Sequence, residues 1–279
     1  FAEEHGLKIA AVKDLIRYFN AADAAGESTL YEAGDCVEAW HGGLHLGSLF
    51  QPIVDLRRER VIGHQASLTV RRADGRALPA DAVFAASPDG PAVVHVDRLV
   101  RTLHALNFLA QRRHAGGYLQ VAVHPRHLQA VSNQHGLVYE AILKRCGLGP
   151  ADIVLAIDAS EIDLLGHGAQ ALTNYRQRGY RLALQAAEAA LGLPEALALQ
   201  PDILQVATAD PTLCATARAA GALVEASGID DGAAFRSALA SGADLGLGHL
   251  FGEPSAACHP THAAHRVAYN SPSSFGAHP

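Results

Sequence analysis

Near the end of the chain, Cys258, His259, His262 and His265 set a thiol and three imidazoles at short intervals. Zinc takes such ligands in tetrahedral sets. The group follows the last apolar segment and Pro260 interrupts it, so a solvated tail is the preferred reading. Other candidate chemistry is sparse. Ser67 and the Ser160-Glu161 pair have no His or Lys in a recognisable nucleophile–base arrangement. His124 and His127 flank a short loop and read as loop histidines. The informative positions lie at the ends of apolar segments: Gln65, Ala122, Ala156, Gln185, Ala186, Gln205, Ser227 and Leu247. Such ends carry the catalytic groups when the segments are strands of a (βα)8 barrel. Here they carry almost nothing that moves a proton or holds a hard cation, since Gln and Ser offer only neutral oxygen. The expectation is a vestigial pocket with no catalytic residue, no metal and no cofactor.

Glu225 is the exception. It precedes Ser227 by two residues, so period-two alternation aims both into the barrel. A one-residue slip would put Glu225 at the strand end itself, but the spacing from Gly228 to Gly242 fits the Ser227 register better. A single carboxylate without partners reads as a protonated or hydrogen-bonded buried Glu rather than a metal ligand.

The elements that must position these residues follow from periodicity. Val12, Leu15, Ile16 and Phe19 fall on one face of a helix over residues 1–20. A second short helix is expected over Thr29–Trp40, ended by Gly42-Gly43. From there strand and helix alternate. Strands are expected at 50–54, 61–70, 119–123, 153–158, 180–185, 203–207, 222–227 and about 246–250. Helices are expected at Pro91–Arg112, 127–146, Leu172–Arg178, 211–220 and 231–241. Short apolar strands separated by helices mean a parallel sheet buried on both faces. Eight of them suit a closed α/β barrel, a TIM-like (β/α)8, better than an open sheet, and no GxGxxG follows the first strand. Residues 1–33 read as an N-terminal helical segment or the tail of an upstream domain, 34–256 as the barrel, and 257–279 as a flexible tail.

Composition excludes several classes. The 279 residues are 49% hydrophobic with a formal charge of −6, enough for one large core and wrong for a nucleic-acid or anionic-membrane surface. Cys36, Cys146, Cys214 and Cys258 are far apart and form no CxxC, which points to a reduced, cytoplasmic protein. No apolar stretch approaches the roughly 20 residues needed to span a bilayer. The chain starts at Phe1 and contains no Met, which reads as a fragment of a longer polypeptide.

The blocks FQPIVDLRRERVIGHQASL (50–68), VDRLV (96–100), LQVAVHPRHL (119–128), PDILQV (201–206), ASGIDD (226–231) and GADLGLGHLFGEP (242–254) together resemble EAL domains, the cyclic di-GMP phosphodiesterases. The resemblance spans about 35–255, in order and in register. It implies a barrel whose first strand runs antiparallel to its neighbours, and, in active members, hydrolysis with two Mg²⁺ or Mn²⁺ ions. It also implies which positions should bear ligands. The Glu of the family tripeptide is Gln65 here and the ligand Asn is Ala122. The fourth-strand Glu is Ala156, with Ala159 at the next acidic position. The paired aspartates are Gln185 and Ala186, and the Lys is Gln205. The seventh-strand Glu is Ser227, the Gln of the eighth is Leu247, and the phosphate-holding Arg is Thr69. Residues 1–19 are similar to the closing helix of dihydroxybutanone phosphate synthase, without any catalytic motif.

The resemblance therefore implies a pseudoenzyme: a catalytically inactive EAL-like domain acting as a regulatory or protein-interaction module in bacterial cyclic di-GMP-related signalling. The expected partner is a protein, with a homodimer as one arrangement and neither nucleic acid nor membrane among the targets. The apolar face of helix 1–20 and the loop 186–192 are the candidate contact surfaces. The alternative is a non-hydrolysing receptor for cyclic di-GMP or another nucleotide, using Gln65, Gln185, Gln205 and Ser227. An active phosphodiesterase requires the missing ligands.

Overall fold

The computed structural model describes residues 12–21, 28–131, 136–145, 147–161, 167–185 and 192–260. The first described element is helix α1 (12–21). Its expected apolar face is buried: Val12, Leu15 and Phe19 belong to the main core, with Ile16 packed against it. That face is therefore covered by the chain itself. Residues 1–11 of the expected helix lie outside the described residues.

The helix expected over Thr29–Trp40 is instead a hairpin of β1 (Ser28–Ala33) and β2 (Cys36–His41), paired antiparallel from Ser28↔His41 to Ala33↔Cys36. The reason is local. Leu30, Val37 and Ala39 are buried at period two, and Gly34 adopts φ +64 in the tight turn. Gly42 and Gly43 turn the chain back into β3 (Leu44–Asp55) rather than ending a helix.

β3 and β4 (Arg60–Arg72) form a long antiparallel hairpin with a register shift at Ile53/Val54. Its outer half carries β1 and β2 on one side and β5 (Ala77–Leu78) on the other. Its inner half enters the barrel. There β4 begins a parallel series through β6 (Tyr118–Ala122), β7 (Ile153–Asp158), β8 (Arg181–Gln185), β9 (Ile203–Val206), β10 (Leu223–Ala226) and β11 (Leu245–Gly246). β11 closes on β3 antiparallel through Leu245↔Asp55 and Gly246↔Val54. The result is the closed eight-stranded α/β barrel, and its first strand is antiparallel to both neighbours. The last strand is shorter than expected. At Gly248 the chain turns away, packed so tightly on Ile229 that an added Cβ would lie 2.1 Å from the Ile229 carbonyl oxygen.

The helices follow their capping signals. After α2 (Ala82–Ala85), α3 (Gly90–Ala115) starts at Asp89, whose carboxylate accepts the Ala92 N–H, with a proline in the first turn. Its stripe of Val96, Leu99, Val100, Leu103, Leu106 and Leu109 is buried. The helix expected at 127–146 divides into α4 (Pro125–Ala130) and α5 (Leu137–Arg145), with Gly136 at φ +84 just before the second. After α6 (His167–Gln177) and α7 (Leu193–Ala198) come α8 (Pro211–Ala219) and α9 (Gly232–Ser241). Asp210 and Asp231 cap α8 and α9 with two backbone N–H bonds each. The chain does not leave the barrel at 257. Ser255 bridges Phe50, the Cys258 N–H donates to Gln111 Oε1 at 2.7 Å, and the His259 N–H donates to His64 Nε2 at 3.0 Å. Residues 261–279, including His262 and His265, lie outside the described residues, as does Cys146.

Candidate functional site

Parallel pairing with period-two alternation fixes which side chains face the lumen. The C-terminal strand ends open into a cavity of about 700 Å³. Gln65, Ala122, Ala156, Gln185 and Gln205 line it, so five of the expected site residues come together. Ser227 follows β10 and donates its hydroxyl to the Val206 carbonyl, and Leu247 packs in the lumen with Ile53, Tyr118, Val154, Ala183, Ile203 and Leu245. Neither is among the lining residues. Ala186 and loop positions 187–191 lie outside the described residues.

Apart from His124, the remaining wall contains groups the sequence did not single out. The Phe84 and His124 rings stack at 4.1 Å between centroids. The Arg126 guanidinium donates to the carbonyls of Phe84 and Ser87 at 3.1 and 3.0 Å. Asp158 accepts from the Ser160 N–H and hydroxyl at 2.9 and 2.6 Å. Asp81 completes the acidic lining with Asp97.

Asp97 is not available to a ligand. Arg101 Nε donates to its Oδ2 at 2.9 Å, His127 Nδ1 lies 2.9 Å from the same oxygen, and the His124 N–H donates to Oδ1 at 2.9 Å. Burial alone would raise this carboxyl, but Arg101 and then His127 outweigh it and hold it well below the usual carboxylate range. Arg101 lies over the Tyr139 ring, and its own pKa is raised because Asp97 overrides the cost of burial. Burial lowers His127 and favours its neutral form despite the hydrogen bond to Asp97. His104, bonded to the Ser48 hydroxyl at 2.8 Å, is pushed down to about 4 by burial. His127 is therefore part of a buried polar cluster, not a simple loop histidine.

Beneath the cavity floor, Glu225 is fully buried in the lumen, as the Ser227 register requires. Its Oε1 accepts from Gln205 Nε2 at 2.8 Å and Gln120 Nε2 at 3.3 Å. Burial raises its pKa, partly offset by those two donors. Among the described residues, no three His, Cys, Asp or Glu side chains converge to hold a metal ion. Of the cavity carboxylates, Asp97 is held by Arg101 and His127 and Asp158 by Ser160, and Asp81 alone does not supply the anionic oxygens that a pair of hard divalent cations needs. Cys258 and His259 are packed on Gln111 and His64. No described helix is long and apolar enough to cross a membrane.

The EAL domain family model matches residues 38–210. Among solved structures, Klebsiella pneumoniae BlrP1 in a manganese and cyclic-di-GMP complex is 18% identical with a TM-score of 0.65, covering 77% of this chain and 57% of that one. The Bacillus subtilis YkuI protein, with an EAL domain and in complex with cyclic di-GMP and calcium, is 18% identical at TM-score 0.63, covering 76% and 56%. PaMucR phosphodiesterase in a cyclic-di-GMP complex is 16% identical at TM-score 0.64, covering 75% and 92%. This chain thus spans little more than half the length of the first two. At these identities the structural likeness speaks for the fold. No curated protein matches the chain.

Proposed function

The chain belongs to the EAL domain family, and from that premise we propose that it is a member without phosphodiesterase activity, serving as a regulatory or protein-interaction module in cyclic di-GMP-related signalling. One observation carries the reading. The cavity-facing strand-end positions Gln65, Ala122, Ala156, Gln185 and Gln205 carry no carboxylate, and Asp158, the last residue of β7, is engaged by the Ser160 N–H and hydroxyl. Two-metal phosphodiester hydrolysis needs several anionic oxygen ligands to repay the dehydration of each ion. Neutral amides supply oxygen without charge, and alanines supply neither. A preserved barrel around such a layer retains surface and shape, which suffice for contact with a protein partner.

The test is direct. Full-length chain is incubated with cyclic di-GMP and Mn²⁺ or Mg²⁺, and the linear dinucleotide product is followed by chromatography. No metal-dependent product is expected, and turnover above the metal-free control overturns the reading. The regulatory half is tested by co-purification of the tagged full chain followed by reconstitution with the purified candidate. A saturable complex with one protein supports it, and the lack of any reconstituting partner counts against it.

A further inference from the structure

We infer that the cavity at the strand ends is a binding site for an uncharged nucleoside-like heterocycle, and that it discriminates against phosphodiesters. The inference rests on the strand-end layer holding no metal. It differs from the regulatory reading in assigning a ligand class to the cavity.

Charge comes first. Asp81, Asp97, Asp158 and Arg126 line the cavity. Arg101 neutralises Asp97 from behind, which leaves two carboxylates against one guanidinium. That guanidinium is already turned onto two backbone carbonyls. A phosphodiester would enter a net negative wall without a metal to offset its charge, and like charge in a partly desolvated cleft repels it.

Hydrogen-bonding capacity comes second. The Gln65 and Gln185 carboxamides line the cavity and have no hydrogen-bond partner among the described residues. Each presents a donor and an acceptor side by side, the pairing that reads the edge of a heterocyclic base. Gln205 joins them, with its nitrogen turned down to Glu225 and its oxygen left as an acceptor. Shape comes third. The stacked Phe84 and His124 rings give one wall a flat aromatic surface, and flat heterocycles stack on such walls. Ala122 and Ala156 leave depth beneath, and a cavity of about 700 Å³ has room for a base with its sugar.

The experiment is isothermal titration of adenosine, guanosine, cytidine and uridine into the full chain in EDTA, with cyclic di-GMP as the anionic counterpart. At least one nucleoside binds saturably, cyclic di-GMP binds at least about tenfold more weakly, and Gln65→Leu or Gln185→Leu weakens the nucleoside by about tenfold. The Gln185 side chain is exposed, so its variant remains informative if Gln65→Leu fails to fold. The inference is overturned by the absence of saturable binding for all four nucleosides at millimolar concentration. It is equally overturned by cyclic di-GMP binding as tightly as they do, or by affinity unchanged in the folded variants. None of these outcomes bears on hydrolysis, which is scored separately with metal present.

Discussion

Gln205 Nε2 lies 2.8 Å from Glu225 Oε1, joining the cavity floor to a carboxyl group with no exposure to solvent. Glu225 Oε2 and Gln120 Oε1 are both buried acceptors without a hydrogen-bond partner. A proton on the carboxyl converts one acceptor into a donor, so the neutral acid is the form this environment favours. Glu225 acts in turn on the buried Tyr118 hydroxyl, and the Arg181 guanidinium lies over the Tyr118 ring at 4.6 Å.

The folded-state pKa of Glu225 is raised by burial above its unfolded value, so its contribution is fully present below the unfolded pKa and is lost as pH rises through the folded pKa. Glu225→Gln keeps the shape and removes the titration. The variant should gain on wild type by about 1.4 kcal/mol for each pH unit between the unfolded and the folded pKa, and the gain should level off above the folded pKa. Urea unfolding of both proteins between about pH 4 and about pH 8 measures it, and parallel profiles would rule it out.

His104 acts in the opposite direction. Burial lowers it to about 4, so the folded state favours the neutral ring. Its contribution is present above the unfolded pKa of about 6.5 and is lost as pH falls toward the folded value. Replacing it by Gln should flatten the acid limb of the stability profile between about pH 6.5 and about pH 4. An unchanged acid limb in the folded variant refutes this.

Much of this molecule was legible in its residues. The alternation of apolar strands with glycine-ended helices gave the barrel because each element carries its own period and terminator, as Gly179, Gly221 and Gly242 do at positive φ. Five of the eight strand-end positions line the cavity, since alternation decides which side chains face inward, whereas Ser227 and Leu247 do not and Asp158 was not singled out. The β1–β2 hairpin was not, because its six-residue strands are too short to separate period two from a helix over one turn. The Asp97–Arg101–His127 cluster was hidden as well. An i,i+4 pair on a helix normally reads as solvated surface, and only the packing of α4 on α3 places His127 beside it.

That cluster has a measurable cost when broken. Asp97→Asn leaves Arg101 charged and buried without its counterion, and removal of one partner from a buried pair costs about 3–5 kcal/mol. Arg17→Ala, which removes the exposed Arg17–Asp14 pair, should cost at most about 0.5 kcal/mol. Chemical denaturation at neutral pH compares the two, and similar costs would show that the buried pair is solvated in solution.

Asn107 Oδ1 accepts the Val37 N–H at 2.7 Å, and its Nδ2 donates to the Val37 carbonyl at 2.8 Å. The carboxamide thus stands in for a strand partner on β2, beyond the last β3 pairing at Ala39↔Leu46. Asn20 does the same for Leu30 on β1, at 2.9 and 3.0 Å, from the end of α1. The two sites differ in burial: Val37 and Asn107 are enclosed, whereas Asn20 is partly open to water. Asn107→Ala strands a buried N–H and C=O and should cost about 2–4 kcal/mol, because both groups lose their partner with no water to replace it. Asn20→Ala should cost less, about 1 kcal/mol, since Asn20 itself is partly open and a water can replace its carboxamide beside the Leu30 backbone. Hydrogen exchange at the Val37 amide provides the independent readout. Its protection should fall in the Asn107 variant and persist in the Asn20 variant, and equal protection in both would mean that β2 holds its edge without the side chain.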